Sequence, residues 1–85
     1  MNRLQKGLPK FQEEIQKKAR DARAELEKAV AVMPADPVVL QHLGDAYRAL
    51  KLYGKAREVY DRALEVSPED SVLRAKRDAL PGGGK

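Results

Sequence analysis

The sequence predicts an all-α fold: an antiparallel helical hairpin, preceded by one long helix and followed by a short capping helix. Residues 10–33 contain no Gly or Pro, and their apolar residues recur every three or four positions, which is the period of one face of a helix. The stretches 37–50 and 55–66 show the same period. The breaks over residues 34–37 and 67–70 are rich in Pro and Asp, and such residues end one helix and cap the next.

The first nine residues are expected to form a flexible arm, because Gly7 and Pro9 interrupt the helical period. The long helix should then run from Lys10 to Met33. At a rise of ~1.5 Å per residue it would be ~35 Å long, so its first turns should overhang the shorter helices that follow. The apolar seam of this helix is heptad-like from its second member onward and consists of Phe11, Ile15, Ala19, Ala22, Leu26, Ala29 and Met33.

The hairpin begins at Asp36, which is a good N-cap, with Pro37 at the first helical position. The second helix is expected to end near Leu50. Gly44 lies in its buried stripe, where a glycine costs ~1 kcal/mol against alanine. We therefore expect another helix to approach closely at this residue. A turn over residues 51–54 leads into the third helix.

A fourth, short helix is expected over residues 71–80, capped by Asp70. It is half polar, which suits a helix that covers its neighbour on one side and faces water on the other. Together the four helices would form one domain over residues 10–80. Residues 81–85 hold three consecutive glycines and should form a flexible tail. Such a tail would also suit an excised or engineered chain.

One motif runs through residues 37–70, at spacings set by Leu40, Leu43, Gly44, Tyr47, Ala56, Tyr60, Ala63 and Pro68. It resembles one complete tetratricopeptide repeat, a helical hairpin of about 34 residues that mediates protein–protein contacts. The second half of the motif recurs one period earlier, from Ala22 to Pro34. Its first half does not recur, and no helix breaker stands at residues 17–20. The chain thus resembles one full repeat after a half repeat whose hairpin is straightened into a long helix.

The resemblance implies a protein-interaction scaffold without enzymatic activity, whose partner is a protein or peptide. About three repeats are usually needed for stability, so this short chain is expected either to be marginally stable or to borrow surface from another copy. The simplest assembly is a two-fold homodimer, including a swap in which the straightened helix completes the hairpin of its neighbour. The residues expected to mediate self-association are Phe11, Ile15, Ala19, Ala22 and Leu26.

The alternative is a monomeric adaptor that binds a peptide on the concave face of the helix over residues 37–50. By resemblance, that face would present Val38, Gln41, His42, Asp45, Arg48, Ala49 and Leu52. Family members that clamp a terminal carboxylate carry Lys and Asn where this chain has Gln41 and Asp45. An Asp repels a carboxylate, which argues against that class of ligand.

Composition argues against several other functions. The net charge of +4 comes mainly from the two ends of the chain, and most basic residues alternate with acidic ones. Nucleic-acid binding is therefore the least favoured of the functional hypotheses. With no Cys and His42 as the single histidine, neither a metal site nor a cofactor is expected. No apolar run approaches the ~20 residues that span a membrane. The absence of a secretory signal and of Cys favours a cytoplasmic location.

Overall fold

The computed structural model describes the backbone of residues 2–82 and the side chains of residues 11–82. Over this part of the chain it confirms the all-α class. The helices are α1 (Asn2–Val32), α2 (Pro37–Ala49), α3 (Tyr53–Val66) and α4 (Ser71–Asp78). The second and third form the antiparallel hairpin, the first packs on α2, and the fourth packs on α3. The molecule is elongated, with principal extents of 50, 31 and 17 Å.

Helix α1 begins earlier than the sequence predicts. It starts at Asn2 and continues through Gly7 and Pro9, so residues 2–9 are helical, whereas we expected the helix to begin at Lys10; the flexibility of this arm stays a prediction. The physical reason is that the φ angle of proline, about −65°, is itself helical, so Pro9 removes a backbone hydrogen bond without forcing the chain out of the helix. At the other end of the chain, Pro81 and Gly82 form a turn. The rest of the expected tail lies outside the described residues.

The predicted caps are present. The Oδ1 atom of Asp36 accepts hydrogen bonds from the backbone N–H groups of Val38 at 2.9 Å and Val39 at 3.3 Å. The Oδ1 atom of Asp70 accepts one from the N–H of Leu73 at 3.0 Å. These bonds satisfy donors that the first turn of a helix leaves without an intrahelical partner. Local sequence therefore sets where α2 and α4 begin.

The turn between α2 and α3 depends on Lys51 rather than on a glycine. Lys51 has a positive φ of 64°. Its N–H donates to the carbonyl of Arg48 and the N–H of Leu52 donates to the carbonyl of Tyr47, each at 2.9 Å. This pair of bonds is the Schellman arrangement that closes a helix C-terminus. Because the turn is completed at Leu52, α3 begins at Tyr53, two residues before the expected start.

The core lies between α2 and α3 and extends to α4. Its largest fully buried side chains are Leu40, Tyr60 and Leu73. The other buried members are Leu43, Tyr47, Ala56, Val59, Ala63 and Leu80. Leu26 and Val30 of α1 pack against this cluster and remain half-buried. Helix α4 therefore covers the C-terminal side of the hairpin, whereas α1 covers the other side with only part of one face.

Gly44 lies directly beneath the ring of Tyr60. A Cβ atom added to Gly44 would lie 2.6 Å from Cδ1 and 2.9 Å from Cζ of that ring, and closer still to Cε1. No alanine fits at such distances unless the ring moves. The close helix approach that the sequence predicts at Gly44 is thus confirmed, and it explains a glycine inside a helix.

We expect Gly44→Ala to destabilise the protein by about 1–3 kcal/mol, as overpacking does in other cores. The higher helix propensity of alanine, worth about 1 kcal/mol, is too small to offset displacement of a ring that is fully buried. Urea unfolding at a fixed protein concentration measures the change. The matched control is Gly54→Ala, whose added Cβ meets nothing within 4 Å and should be neutral or stabilising. Equal effects of the two substitutions would contradict this account.

Candidate interaction surface

An open groove of about 440 Å³ runs between α1 and α2. Helix α1 contributes Ile15, Lys18, Ala19, Ala22 and Leu26, and helix α2 contributes His42, Asp45, Ala46 and Ala49. The groove thus brings together four of the five residues predicted to mediate self-association and three of those predicted to bind a peptide. The sequence had treated these as two separate surfaces.

The first half of α1 extends beyond α2. The Nε2 atom of Gln16 donates a hydrogen bond of 3.0 Å to the carbonyl of Ala49, the last residue of α2, and Phe11 lies more than one turn further out. Phe11 is 66% exposed and Ile15 is 44% exposed. Ala19, by contrast, is buried, while Ala22 and Leu26 are half-buried. The expected overhang is therefore present, and its apolar seam continues into the groove.

The concave-face candidates of α2 differ in their surroundings. Three of them, His42, Asp45 and Ala49, line the groove. Leu52 packs against the core from the turn that follows α2. The remaining candidates lie outside the groove lining: Val38 and Arg48 are exposed and Gln41 is half-buried.

Asp45 connects three helices. It accepts a hydrogen bond of 2.5 Å from the hydroxyl of Tyr60 on α3 and forms an ion pair of 3.0 Å with the ammonium of Lys76 on α4. The expectation that Asp45 repels a carboxylate ligand is thereby weakened, because Lys76 offsets its charge. Sequence reasoning missed this network, because its members are 15 and 31 residues apart and no local pattern links them.

One further side-chain contact joins α1 and α2. The hydroxyl of Tyr47 donates a hydrogen bond of 2.6 Å to the Oε2 atom of Glu27, which ties α2 to α1. Burial, and then this hydrogen bond, raise the pKa of Tyr47 to about 12. Burial, followed by its hydrogen bond to Asp45, also raises the pKa of Tyr60. In both residues the folded state favours the neutral phenol. A phenolate would be buried, could no longer donate the hydrogen bond, and would lie next to a negatively charged carboxylate.

The side chains described here contain no group of three or more His, Cys, Asp and Glu residues arranged to hold a metal ion. Over residues 2–82, no helix combines the length and the apolar character required to cross a membrane.

We expect Asp45→Ala to lower the free energy of unfolding by about 1–3 kcal/mol, because it leaves the buried Tyr60 hydroxyl without its acceptor. His42→Ala removes a neighbouring groove residue that is exposed and should change stability by no more than about 0.5 kcal/mol. Urea unfolding of both variants provides the comparison. If both had the same small effect, Asp45 would be a surface residue rather than a structural one.

The raised tyrosine pKa values predict a loss of stability in alkali. In the unfolded chain a tyrosine titrates near 10.0, and in the folded chain Tyr47 titrates near 12. The stabilisation is therefore fully present below pH 10 and is lost as pH rises through the folded pKa. Urea unfolding between pH 8 and 12 should show the advantage of wild type over Tyr47→Phe shrinking above pH 10. Tyr53→Phe is the control, and an advantage that stays constant with pH would contradict the prediction.

Comparison with known proteins agrees with this architecture. A family model described as tetratricopeptide repeat matches residues 15–80, from the groove-lining Ile15 of α1 to the buried Leu80 after α4. Neither the curated proteins nor the solved structures give a match. The matched region contains the helical hairpin, its cap and most of the helix before it, and the chain belongs to the tetratricopeptide repeat family.

Proposed function

We propose that this protein is an interaction scaffold that assembles with copies of itself through α1. Tetratricopeptide repeats mediate contacts between proteins, and that general role comes with membership of the family. The observation that supports self-association is the exposure of Phe11, 66%, and Ile15, 44%, on the seam that continues into the groove. Burying a large apolar side chain contributes about 1.5–3 kcal/mol.

The two ends of the helical stack differ in how they are closed. On the C-terminal side, Leu73 of α4 and Leu80 just after it are buried against the hairpin, and Arg74 and Asp78 of α4 are exposed. On the N-terminal side, α1 leaves an open groove. Helical repeat proteins require a polar outer face on their terminal repeats, and the seam of α1 lacks one. A second protein bound to α1 would cover this apolar seam.

The second candidate function is a monomeric adaptor that holds a foreign peptide. It is favoured by the position of His42, Asp45 and Ala49 in the same groove. Oligomeric state distinguishes the two candidates, because self-association occupies the groove and an adaptor leaves it free. A nucleic-acid module has less support, since Lys76 and Arg77 pair with Asp45 and Asp61.

We expect light scattering over a dilution series to give twice the chain mass of 9.5 kDa at high concentration. Dilution should also lower the melting temperature, as mass action requires of an associating protein. The double substitution Phe11→Asp with Ile15→Asp should give the monomer mass, because two buried carboxylates would be unpaired in the contact. Both residues lie outside the hairpin core, so the helical circular dichroism signal of the hairpin should persist.

The matched control for this experiment is Val72→Asp on α4, which is 60% exposed and lies outside the groove. It adds a charge at a comparably exposed apolar residue and should leave the oligomer intact. A monomer mass for wild type at all concentrations would rule out self-association. An oligomer that survives the double substitution would exclude α1 as its contact surface.

A further inference from the structure

We infer that two copies of the chain pair their α1 helices antiparallel, so that the first half of each α1 lies in the groove of the other copy. The inference rests on the proposed self-association and specifies its geometry. The occupant of the groove is then a second copy of this chain. The contact is isologous, so it closes at two copies and leaves no open end for further growth.

The repeat spacing identifies what would normally fill the groove. Ala22 and Leu26 of α1 correspond to Ala56 and Tyr60 of α3, one period later. The helix that corresponds to α2 would therefore come from residues 3–15 and lie back against α1, next to α2. In this chain those residues instead continue α1 without a break. The segment that would occupy this position is thus present in the sequence, although it lacks the motif residues of α2, and it extends away from the groove of its own chain.

A second copy of the chain can supply that segment to the groove. When a hinge straightens, the element beyond it can make in a neighbour the contacts it would have made in its own chain. Two straight α1 helices, related by a two-fold axis near Ala19, place residues 3–15 of each beside the second half of the other. The seam from Phe11 to Leu26 is continuous along one face of α1. The same pairing therefore buries the overhang of one copy and fills the groove of the other.

Side-chain size favours the antiparallel direction. The large, exposed residues Phe11 and Ile15 lie on the first half of the seam, and the small residues Ala19 and Ala22 lie at its centre and on its second half. Antiparallel pairing sets Ile15 of one copy against Ala22 of the other, and Phe11 against Leu26. Large residues then meet smaller ones, as close packing requires. A parallel pair would set Phe11 against Phe11 and leave the groove empty.

The pairing brings two like charges together. The two Lys18 side chains approach each other near the axis, because Lys18 lines the groove and adjoins Ala19. Their repulsion is screened by salt. Added salt should therefore strengthen the dimer or leave it unchanged, whereas a contact held by ion pairs would weaken.

Introduced cysteines test the direction of pairing, since the chain has no Cys of its own. Lys18→Cys and Glu25→Cys are made separately, and both side chains are exposed. A disulfide needs Cα atoms within about 4.4–6.8 Å. In the antiparallel pair the two copies of residue 18 flank the axis, whereas those of residue 25 are about 20 Å apart along the helices, at 1.5 Å per residue.

After mild oxidation, we expect Lys18→Cys to give a covalent dimer and Glu25→Cys to give no more than the exposed control Val72→Cys. Non-reducing electrophoresis measures the yield, and circular dichroism verifies that each variant is helical. A covalent dimer of Glu25→Cys would indicate parallel pairing and overturn the inference. If light scattering gave a dimer mass but neither variant formed a disulfide, the contact would lie on another surface. That result would overturn the antiparallel pairing and leave the proposed self-association intact. A monomer mass throughout would remove both proposals and leave the groove to a foreign peptide.

Discussion

The packing of Tyr60 on Gly44 is the contact on which the rest of the structure depends. The ring is fully buried and lies so close to Gly44 that the next residue type in size would displace it. Its hydroxyl donates to Asp45, which in turn holds Lys76. One side chain therefore sets the distance between α2 and α3 and, through Asp45, fixes the position of α4. Because this hub lies on the α3 and α4 side of α2, the hairpin and its cap form the well-closed part of the molecule.

Helix α1 is held differently. Its contacts with the hairpin include the half-buried Leu26 and Val30, the bond from Tyr47 to Glu27 and the bond from Gln16 to Ala49. These ties involve only part of one face. The rest of that face is an apolar seam that lines a groove and then extends past the end of α2. The stack is thus closed by a polar cap on one side and open on the other, and our functional proposal follows from this asymmetry.

The sequence predicted the hairpin well, because each of its signals is local. Asp36 and Asp70 cap the helices they precede, and Gly44 marks the close approach of α3. Prediction failed where a local rule is only a tendency. Pro9 usually marks a helix boundary, yet the helix runs through it. The turn is predicted over residues 51–54, but it closes at Leu52, because Lys51 adopts the positive φ angle and the hydrogen bonds of the Schellman arrangement offset the strain in its backbone.

The sequence by itself determined the helices, their order and the apolar face of each one, since these follow from periodicity and capping within a few residues. Only the tertiary structure decided the use of Asp45, because its partners lie on two other helices. It also decided that residues from both predicted surfaces line a single groove. Residues on α1 and α2 become neighbours only when the two helices cross. The angle and offset of that crossing depend on packing between side chains distant in sequence, which periodicity within one helix does not encode.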